Sequence, residues 1–330
     1  MSDDDIDESL LPDRETCDKL CQEFARVTNT DSACAQFFLQ DRQWDLQRSI
    51  NAYFKTKSSE SQDNDDDDVE AELDVPKSLK LVSWNLDGLD EKSLPKRTKF
   101  VCQIINCELP DVVFFQEVIP ETLSLIEKYL PAYDIFQGND VNYFVVILTK
   151  RSTIKCSDHR VIPFATSVMY RNLLVVEGKI SDIPLVLMTS HLESTKEHSD
   201  ERIKQLRTVF KQALDACDQN TTVLVGGDFN MRDQELEKVG GIPAGLEDLW
   251  ITCGSRPECR YTWDMTRNDN LIFQGRIKPR CRFDRLYMAP SSPARLKPEH
   301  FGLIGLERIK SCGRFPSDHW GLTTRFSLEN

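Results

Sequence analysis

Four apolar runs in this 330-residue chain stop at side chains that handle metals, protons or phosphates, and a fifth begins just after two more. Leu81-Val-Ser-Trp84 leads into Asn85 and Asp87, and Val112-Val-Phe-Phe115 leads into Gln116 and Glu117. Val186–Ser190 ends at His191 and Glu193, and Val223–Gly227 ends at Asp228 and Asn230. Asp318 and His319 stand just before Trp320–Phe326. Short runs rich in Val, Leu and Phe read as strands. Strands lying side by side bring such ends to one rim. The rim is rich in carboxylates and poor in thiols, which suits a hard divalent ion, Mg²⁺ with Mn²⁺ as substitute, rather than structural zinc. Mg²⁺ takes one or two protein carboxylates and lets phosphate complete its shell. Amides such as Asn85 and Asn230 orient a nucleophile without adding charge, and imidazoles donate to an oxyanion as it develops. Together these parts describe metal-assisted phosphoester hydrolysis.

Taken one at a time, each residue also has an ordinary structural use. An aspartate at a strand end often serves a turn or a helix N-cap, and a histidine in an apolar stretch often sits satisfied in the core. His159, His198 and His300 lie in polar, loop-like surroundings and read as surface. Eleven cysteines, an odd count without a Cys-X-X-Cys pair, read as reduced thiols; Cys17, Cys21 and Cys34 fall among helix-patterned residues and read as small packing groups.

The elements that must hold the rim begin near residue 76. Strand candidates are Leu79–Trp84, Val112–Phe115, Tyr143–Thr149, Leu173–Val176, Leu185–Thr189, Thr221–Val225, Arg285–Met288 and Trp320–Phe326. Amphipathic helix candidates are Lys96–Cys107, Glu121–Leu130 and Ser199–Ala216. Val112–Phe115 and Thr221–Val225 are apolar on both faces, which predicts stacked sheets with helices outside. The head of the chain is different. Residues 1–12 are acidic and read as a disordered tail. Residues 13–55 carry three short helical patterns: Leu20, Phe24 and Val27 on one face; Ala33–Leu39 with Asp31 as N-cap; and Leu46, Ile50 and Tyr53 beside Trp44 and Phe54. Residues 56–75 hold little to bury and read as an acidic linker, ahead of a domain over 76–330.

Charge divides at the same place. Residues 1–75 hold 21 acidic and 7 basic side chains; the other 255 residues hold 33 and 34, so the overall charge of −13 belongs to the head. The acidic start and the lack of a long apolar run give no expectation of a secretory signal or a membrane span.

The ordered set Trp84-Asn85-Leu86-Asp87-Gly88, Gln116-Glu117, Ser190-His191-Leu192-Glu193-Ser194, Gly227-Asp228-Phe229-Asn230 and Ser317-Asp318-His319-Trp320 resembles the endonuclease/exonuclease/phosphatase superfamily. Thr189–Thr195, Asn230–Asp233, Tyr261–Asp264, Arg282–Arg285 and Cys312–Leu322 are similar to the tyrosyl-DNA phosphodiesterase branch of that superfamily, and Trp44–Phe54 resembles the third helix of a ubiquitin-associated-like domain. The resemblance implies a four-layer α/β sandwich of DNase-I-like type after a small three-helix bundle. It implies a Mg²⁺-dependent hydrolase that cuts the bond between a topoisomerase II tyrosine and a DNA 5′-phosphate in double-strand break repair, with tyrosine-linked RNA as a related substrate. It further implies a ubiquitin partner for residues 13–55 and a nuclear location with a cytoplasmic pool; a monomer without membrane contact is expected as well. An abasic-site endonuclease, a small-molecule phosphodiesterase, and a ubiquitin-binding adaptor with an idle catalytic domain remain alternatives.

Carried over residue by residue, the resemblance makes Glu117 the direct metal ligand, with Asp87 and Asp318 supporting the metal's water shell. It gives Asp228, with Asn230, the attacking water. Asn85, His191 and His319 bind the phosphate, Asp284 orients His319, and Arg232 adds a cationic contact. Phe229 points away from the rim. For nucleic acid, Trp263, Phe283 and Tyr143 are stacking candidates and Leu271 an apolar wall. Arg276, Lys278, Arg280 and Arg282 supply a cationic loop.

Overall fold

The computed structural model describes residues 13–28, 30, 35–36, 38–39, 44–60, 76–140, 142–272, 275 and 277–329. It divides into two compact units, Met1–Glu72 and Leu73–Asn330. The tail expected over 1–12, the N-cap Asp31, Cys34 and residues 61–75 of the expected linker lie outside the described residues. Among the described residues, no helix is long and apolar enough to cross a membrane.

In the first unit, α1 (Arg14–Thr28) and α2 (Leu46–Glu60) flank helical residues at 35–36 and 38–39. Phe24, Ala35 and Leu39 are fully buried, with Leu20, Phe38, Ile50 and Tyr53 packed against them. Three aromatic rings meet in this small core. Phe24 stacks on Phe38 at 5.8 Å, and Tyr53 meets both edge-on. Two expectations change. Leu20 and Phe24 pack as expected, but Val27 is 44% exposed, because the buried stripe of α1 continues from Phe24 to Thr28 instead. Helix α2 also continues to Glu60, past the expected end at 55.

In the second unit, alternation along each strand sends neighbouring side chains to opposite faces. One mixed sheet has the order β13–β14–β1–β2–β4–β3, formed by Leu296–Ile304, Gly321–Leu328, Ser78–Asn85, Val112–Val118, Phe144–Lys150 and Tyr133–Gln137. The other has the order β5–β6–β7–β8–β12–β9, formed by Ile154–Pro163, Asn172–Ile180, Ile183–His191, Thr222–Asp228, Asp284–Ala289 and Glu247–Asp248. Leu79, Leu81 and Phe114 of the first sheet pack against Leu174, Leu187 and Leu286 of the second. On the outer face of the first sheet, Val82 and Phe115 pack with α3 (Leu94–Glu108) and α4 (Pro120–Tyr129). On the outer face of the second, Val175 and Val225 pack with α5 (Ser199–Ala216). The result is the four-layer α/β sandwich that the doubly apolar strands anticipate.

Every expected strand and helix of this unit is present. Of the strands in these two sheets, the sequence reading omitted β3, β5, β9 and β13, the four edge strands. Most of β5 faces solvent, so it lacks the apolar signal, and β13 carries Pro298 and a register shift at Pro298/His300. His159 and His300 are exposed, as expected, but on these edge strands rather than in loops.

Register places the rim. β1 and β2 run parallel with Asn85 opposite Gln116, and β7 and β8 run parallel with His191 opposite Asp228. β12 returns antiparallel with Asp284 opposite Asp228. The carboxyl ends of β1, β2, β7 and β8 share one edge, the place where open α/β sheets present ligand-binding groups.

Candidate active site

His191, Asp228 and Asp284 form a cross-strand row on the second sheet, and Asn85 reaches it from the first. Asn85 Nδ2 donates to Asp228 Oδ2 at 2.9 Å and to Glu117 Oε1 at 3.2 Å. His191 Nε2 lies 3.3 Å from Asp228 Oδ2 and 3.9 Å from Glu117 Oε1. His319 enters from the loop before β14, with Nδ1 2.8 Å from Asp284 Oδ2 and Nε2 3.8 Å from Asp228 Oδ2. Asp318 Oδ1 is 4.0 Å from His319 Nε2. Glu117, Asp228, Asp284, Asp318, Asn85, His191 and His319, from both sheets, are therefore one cluster.

Several of these side chains stand on costly backbone. Asp87, Glu117 and Asn230 have φ of 51°, 54° and 49°. Such conformations cost roughly 1–3 kcal/mol each outside glycine and collect at functional sites. Local bonds hold them. The Asp87 amide donates to Asn85 Oδ1, the Leu86 amide to the Gln116 carbonyl, and the Asn230 amide to Asp228 Oδ1, each at 2.9–3.0 Å. Arg97 of α3, fully buried, donates to the carbonyls of Leu86, Asp87, Asp90 and Pro316, tying the Asp87 loop to the segment before Asp318. Ser317 Oγ completes the tie, donating to the Asn85 carbonyl and accepting the His319 amide.

The two histidines carry different charge. Arg171 Nη1 lies 2.7 Å from His191 Nδ1, so that nitrogen accepts and Nε2–H points to Asp228. Burial, then Arg171, holds His191 neutral, well below the usual imidazole range. His319 is the reverse. Burial opposes its charge, but Asp284, Asp318 and Asp228 outweigh it and keep the ring protonated. Asp228 stays ionised despite burial because His191, His319 and Asn85 face it. Burial, followed by Asp318, pushes Asp87 up to about 8 and Glu117 up to about 7. Buried carboxylates that repel one another call for a cation. Asp87 Oδ2 is also buried without a hydrogen-bond partner, 3.7 Å from Arg97 Nη1. Glu117, Asp87 and Asp318 thus fit a divalent ion. Asp228, Asp284 and His319 also present ligand atoms within 4.8 Å of one another. There, however, Nδ1 donates to Asp284 and the ring is cationic, so this trio is a charge-paired imidazolium rather than a metal set.

The expected nucleic-acid residues separate into groups. Trp263 is half-buried, donates Nε1–H to Asp318 Oδ2 at 2.9 Å, and lies 5.5 Å from the Phe283 ring, which in turn faces His319 at 6.5 Å. These two rings form a platform against the cluster. Arg232 sits 5.8 Å over the Phe283 ring. Tyr143 lies on the opposite side, edge-on to His191 at 6.1 Å, with Arg171 at 4.7 Å over its ring. Arg280 is exposed, paired with Asp264 and stacked on Tyr261. Lys278 and Leu271 are exposed on the loop, and Arg276 lies outside the described residues. Arg282 is a correction. It is buried, paired with Asp248 and stacked on Trp250, so its guanidinium braces the fold and is not a free cation of the exposed loop. Glu193 is also structural: it accepts from Val168, Met169, Ser167 and Gln205. Phe229 turns into the helix-side core and stacks on Tyr287.

Sequence reasoning missed Arg171 and Arg97. Arg97 had a faint signal, since it falls three residues after Leu94 and four before Val101 on the apolar stripe of α3. Arg171 had none.

Comparison with known proteins agrees with this fold. Residues 82–319 match the Endonuclease/Exonuclease/phosphatase family and residues 18–60 match a UBA-like domain. Tyrosyl-DNA phosphodiesterase 2 of Gallus gallus is 42% identical over 94% of this chain and 90% of its own length, and that of Homo sapiens is 38% identical over 94% and 92%. The crystal structure of D. rerio TDP2 complexed with single-strand DNA product superposes with a TM-score of 0.74 at 41% identity, covering 77% of this chain and 100% of that one. The C. elegans TDP2 crystal structure covers 99% of this chain and 98% of its own, with a TM-score of 0.71 at 34% identity. With the fold, the cluster and these likenesses in agreement, this chain belongs to the endonuclease/exonuclease/phosphatase family, in its tyrosyl-DNA phosphodiesterase 2 branch.

Proposed function

We propose that this chain is a Mg²⁺-dependent 5′-tyrosyl-DNA phosphodiesterase that hydrolyses the bond between a topoisomerase II tyrosine and a DNA 5′-phosphate, leaving a 5′-phosphate for repair. The observation that carries the reading is the joining of Glu117, Asn85, Asp228, His191 and His319 by contacts of 2.9–3.9 Å across two sheets. Glu117, Asp87 and Asp318 would hold a divalent ion, which would supply charge neutralisation for the phosphate and the leaving phenolate. Asp228, ionised and buried, takes the proton of the attacking water. Asn230 spends its Nδ2 on the Leu192 carbonyl and Ser194 Oγ, which leaves Oδ1 free to accept from that water. Neutral His191, through Nε2–H, and cationic His319 donate to the phosphate oxygens as charge builds. Phenolate, with a conjugate acid near pKa ~10, leaves with little need for a general acid. Trp263 and Phe283 stack the DNA end, and Arg232 reaches its phosphate.

Turnover of a 5′-phosphotyrosyl oligonucleotide, compared with an abasic duplex and a small phosphodiester, tests the substrate. The proposal requires the phosphotyrosyl end to exceed both in kcat/KM; a preference for either rival replaces it. The UBA-like match supports a second role, ubiquitin binding by residues 13–55, for which titration with labelled ubiquitin is the direct test. A nuclear place of work follows from the proposed substrate.

A further inference from the structure

Beside the aromatic platform is a cavity of about 180 Å³ lined by five arginines, Arg232, Arg260, Arg280, Arg282 and Arg285, around Tyr261. That volume is below the roughly 300 Å³ at which pockets begin to take whole small molecules, and it suits a single anionic group. The charges do not cancel. Asp233 serves Arg260 and Arg285, Asp264 serves Arg280 and Asp248 serves Arg282, so three carboxylates face five guanidiniums. Arg232 makes no ion pair among the described residues. Arg282 and Arg285 are buried and form the floor. Arg260 and Arg280 are 46% and 43% exposed, and they stack on Tyr261 at 5.3 Å and 4.3 Å, which holds two like charges on one ring. A guanidinium stacked on an aromatic ring keeps its N–H edge free for a phosphate. The cavity is joined to the active site through Arg232, which lies over the Phe283 ring, and through Cys281, which pairs with Trp263 across the β10–β11 ribbon (Trp263–Asp264 and Arg280–Cys281).

We propose that this arginine pocket is a second phosphate subsite, which takes a backbone phosphate of the strand as it runs on from the platform and so makes the enzyme sensitive to substrate length. The proposal rests on the nucleic-acid reading above, and its test has an arm that does not. The full chain is assayed on 5′-phosphotyrosyl thymidine and on 5′-phosphotyrosyl oligothymidylates of two, four and eight nucleotides. Wild-type kcat/KM should rise with length. In Arg260→Gln the long-to-short ratio should fall about tenfold, the size of one lost charge-assisted contact, carried by KM rather than kcat. A merely structural role would lower long and short substrates alike. In the second arm, a plain 5′-phosphate oligonucleotide is bound without metal over a range of salt. Arg260→Gln should lower the log–log slope by about 0.7, one contact on single strands, and Arg260→Lys, which keeps a point charge, should restore it. An unchanged length dependence and an unchanged salt slope in Arg260→Gln would overturn the proposal. If the wild type cleaves no phosphotyrosyl substrate, the assigned reaction fails while the binding arm still decides the pocket.

Discussion

Asp228 is contacted or approached by Asn85, His191, His319 and the Asn230 amide, so its charge is the hub of the site. Asp228→Asn keeps the shape and removes the negative charge; kcat should fall by about 10²–10⁴, while the melting temperature stays within a few degrees. Asp284→Asn tests the other pair. It removes the carboxylate that holds the His319 ring charged and in register, and turnover should drop by about 10²–10³ with substrate KM little changed. Normal turnover in either variant contradicts the assigned roles. At this scale the sequence was most legible where chemistry sits at strand ends. Asn85, Glu117, His191 and Asp228 each follow an apolar run, and strand geometry leaves such groups on a rim. Arg171 was not legible, because its role depends on a 2.7 Å contact between β6's entry and β7's exit, and one exposed-looking arginine reads like any other. Arg282 misled for the same reason: a basic run cannot show which member turns inward onto Asp248.

Among the elements, the Asp87 loop and β2 approach closely. A Cβ added at Gly88 would lie 2.0 Å from the Glu117 carbonyl oxygen. Gly88→Ala must push Asp87 and Glu117 apart, so it should cost about 1–3 kcal/mol in urea unfolding and weaken Mg²⁺ activation of turnover together. A second element-level pair fixes α5 to α6 (Asp233–Lys238). Arg202 and Glu235 are buried side-chain partners. Burial would raise Glu235, but Arg202, Ser199 and the Arg232 amide hold it below its ordinary value of 4.5. A depressed carboxylate stabilises the fold above its unfolded pKa and loses that contribution as pH falls through the folded one. Arg202→Met should therefore cost about 3–5 kcal/mol at neutral pH, with the difference from wild type shrinking below about pH 4. A constant difference across that range would show that the charge pair is not the cause. Strands apolar on both faces were readable because burial on both sides leaves no polar alternation. The edge strands β3, β5, β9 and β13 were not, since their stability comes from one neighbour's hydrogen bonds and leaves little trace in side-chain type.

Over the whole molecule, charge and chemistry are separated. The acidic head carries the net negative charge, and residues 76–330 are balanced by themselves, so that unit alone presents no net repulsion to a polyanion. Residues 76–330 contain every group of the cluster. Expressed alone, they should turn over substrate within a fewfold of the full chain, and ubiquitin binding should vanish with residues 13–60. Two readings that differ only in substrate share this architecture, which is why the sequence alone left the abasic and small-molecule alternatives open. The platform of Trp263 and Phe283 favours a DNA end, but its depth against the cluster is visible only in three dimensions. The central claim is that Glu117 and its neighbours hold a hard divalent ion that drives cleavage of a phosphotyrosyl bond. Its most direct measurement is tyrosine release from a 5′-phosphotyrosyl oligonucleotide by the wild type and by Glu117→Gln, each with Mg²⁺ and with chelator. The account predicts release only by the wild type with Mg²⁺, with Glu117→Gln lower by at least about 10²; release that survives chelation, or equal rates in the two proteins, would contradict it.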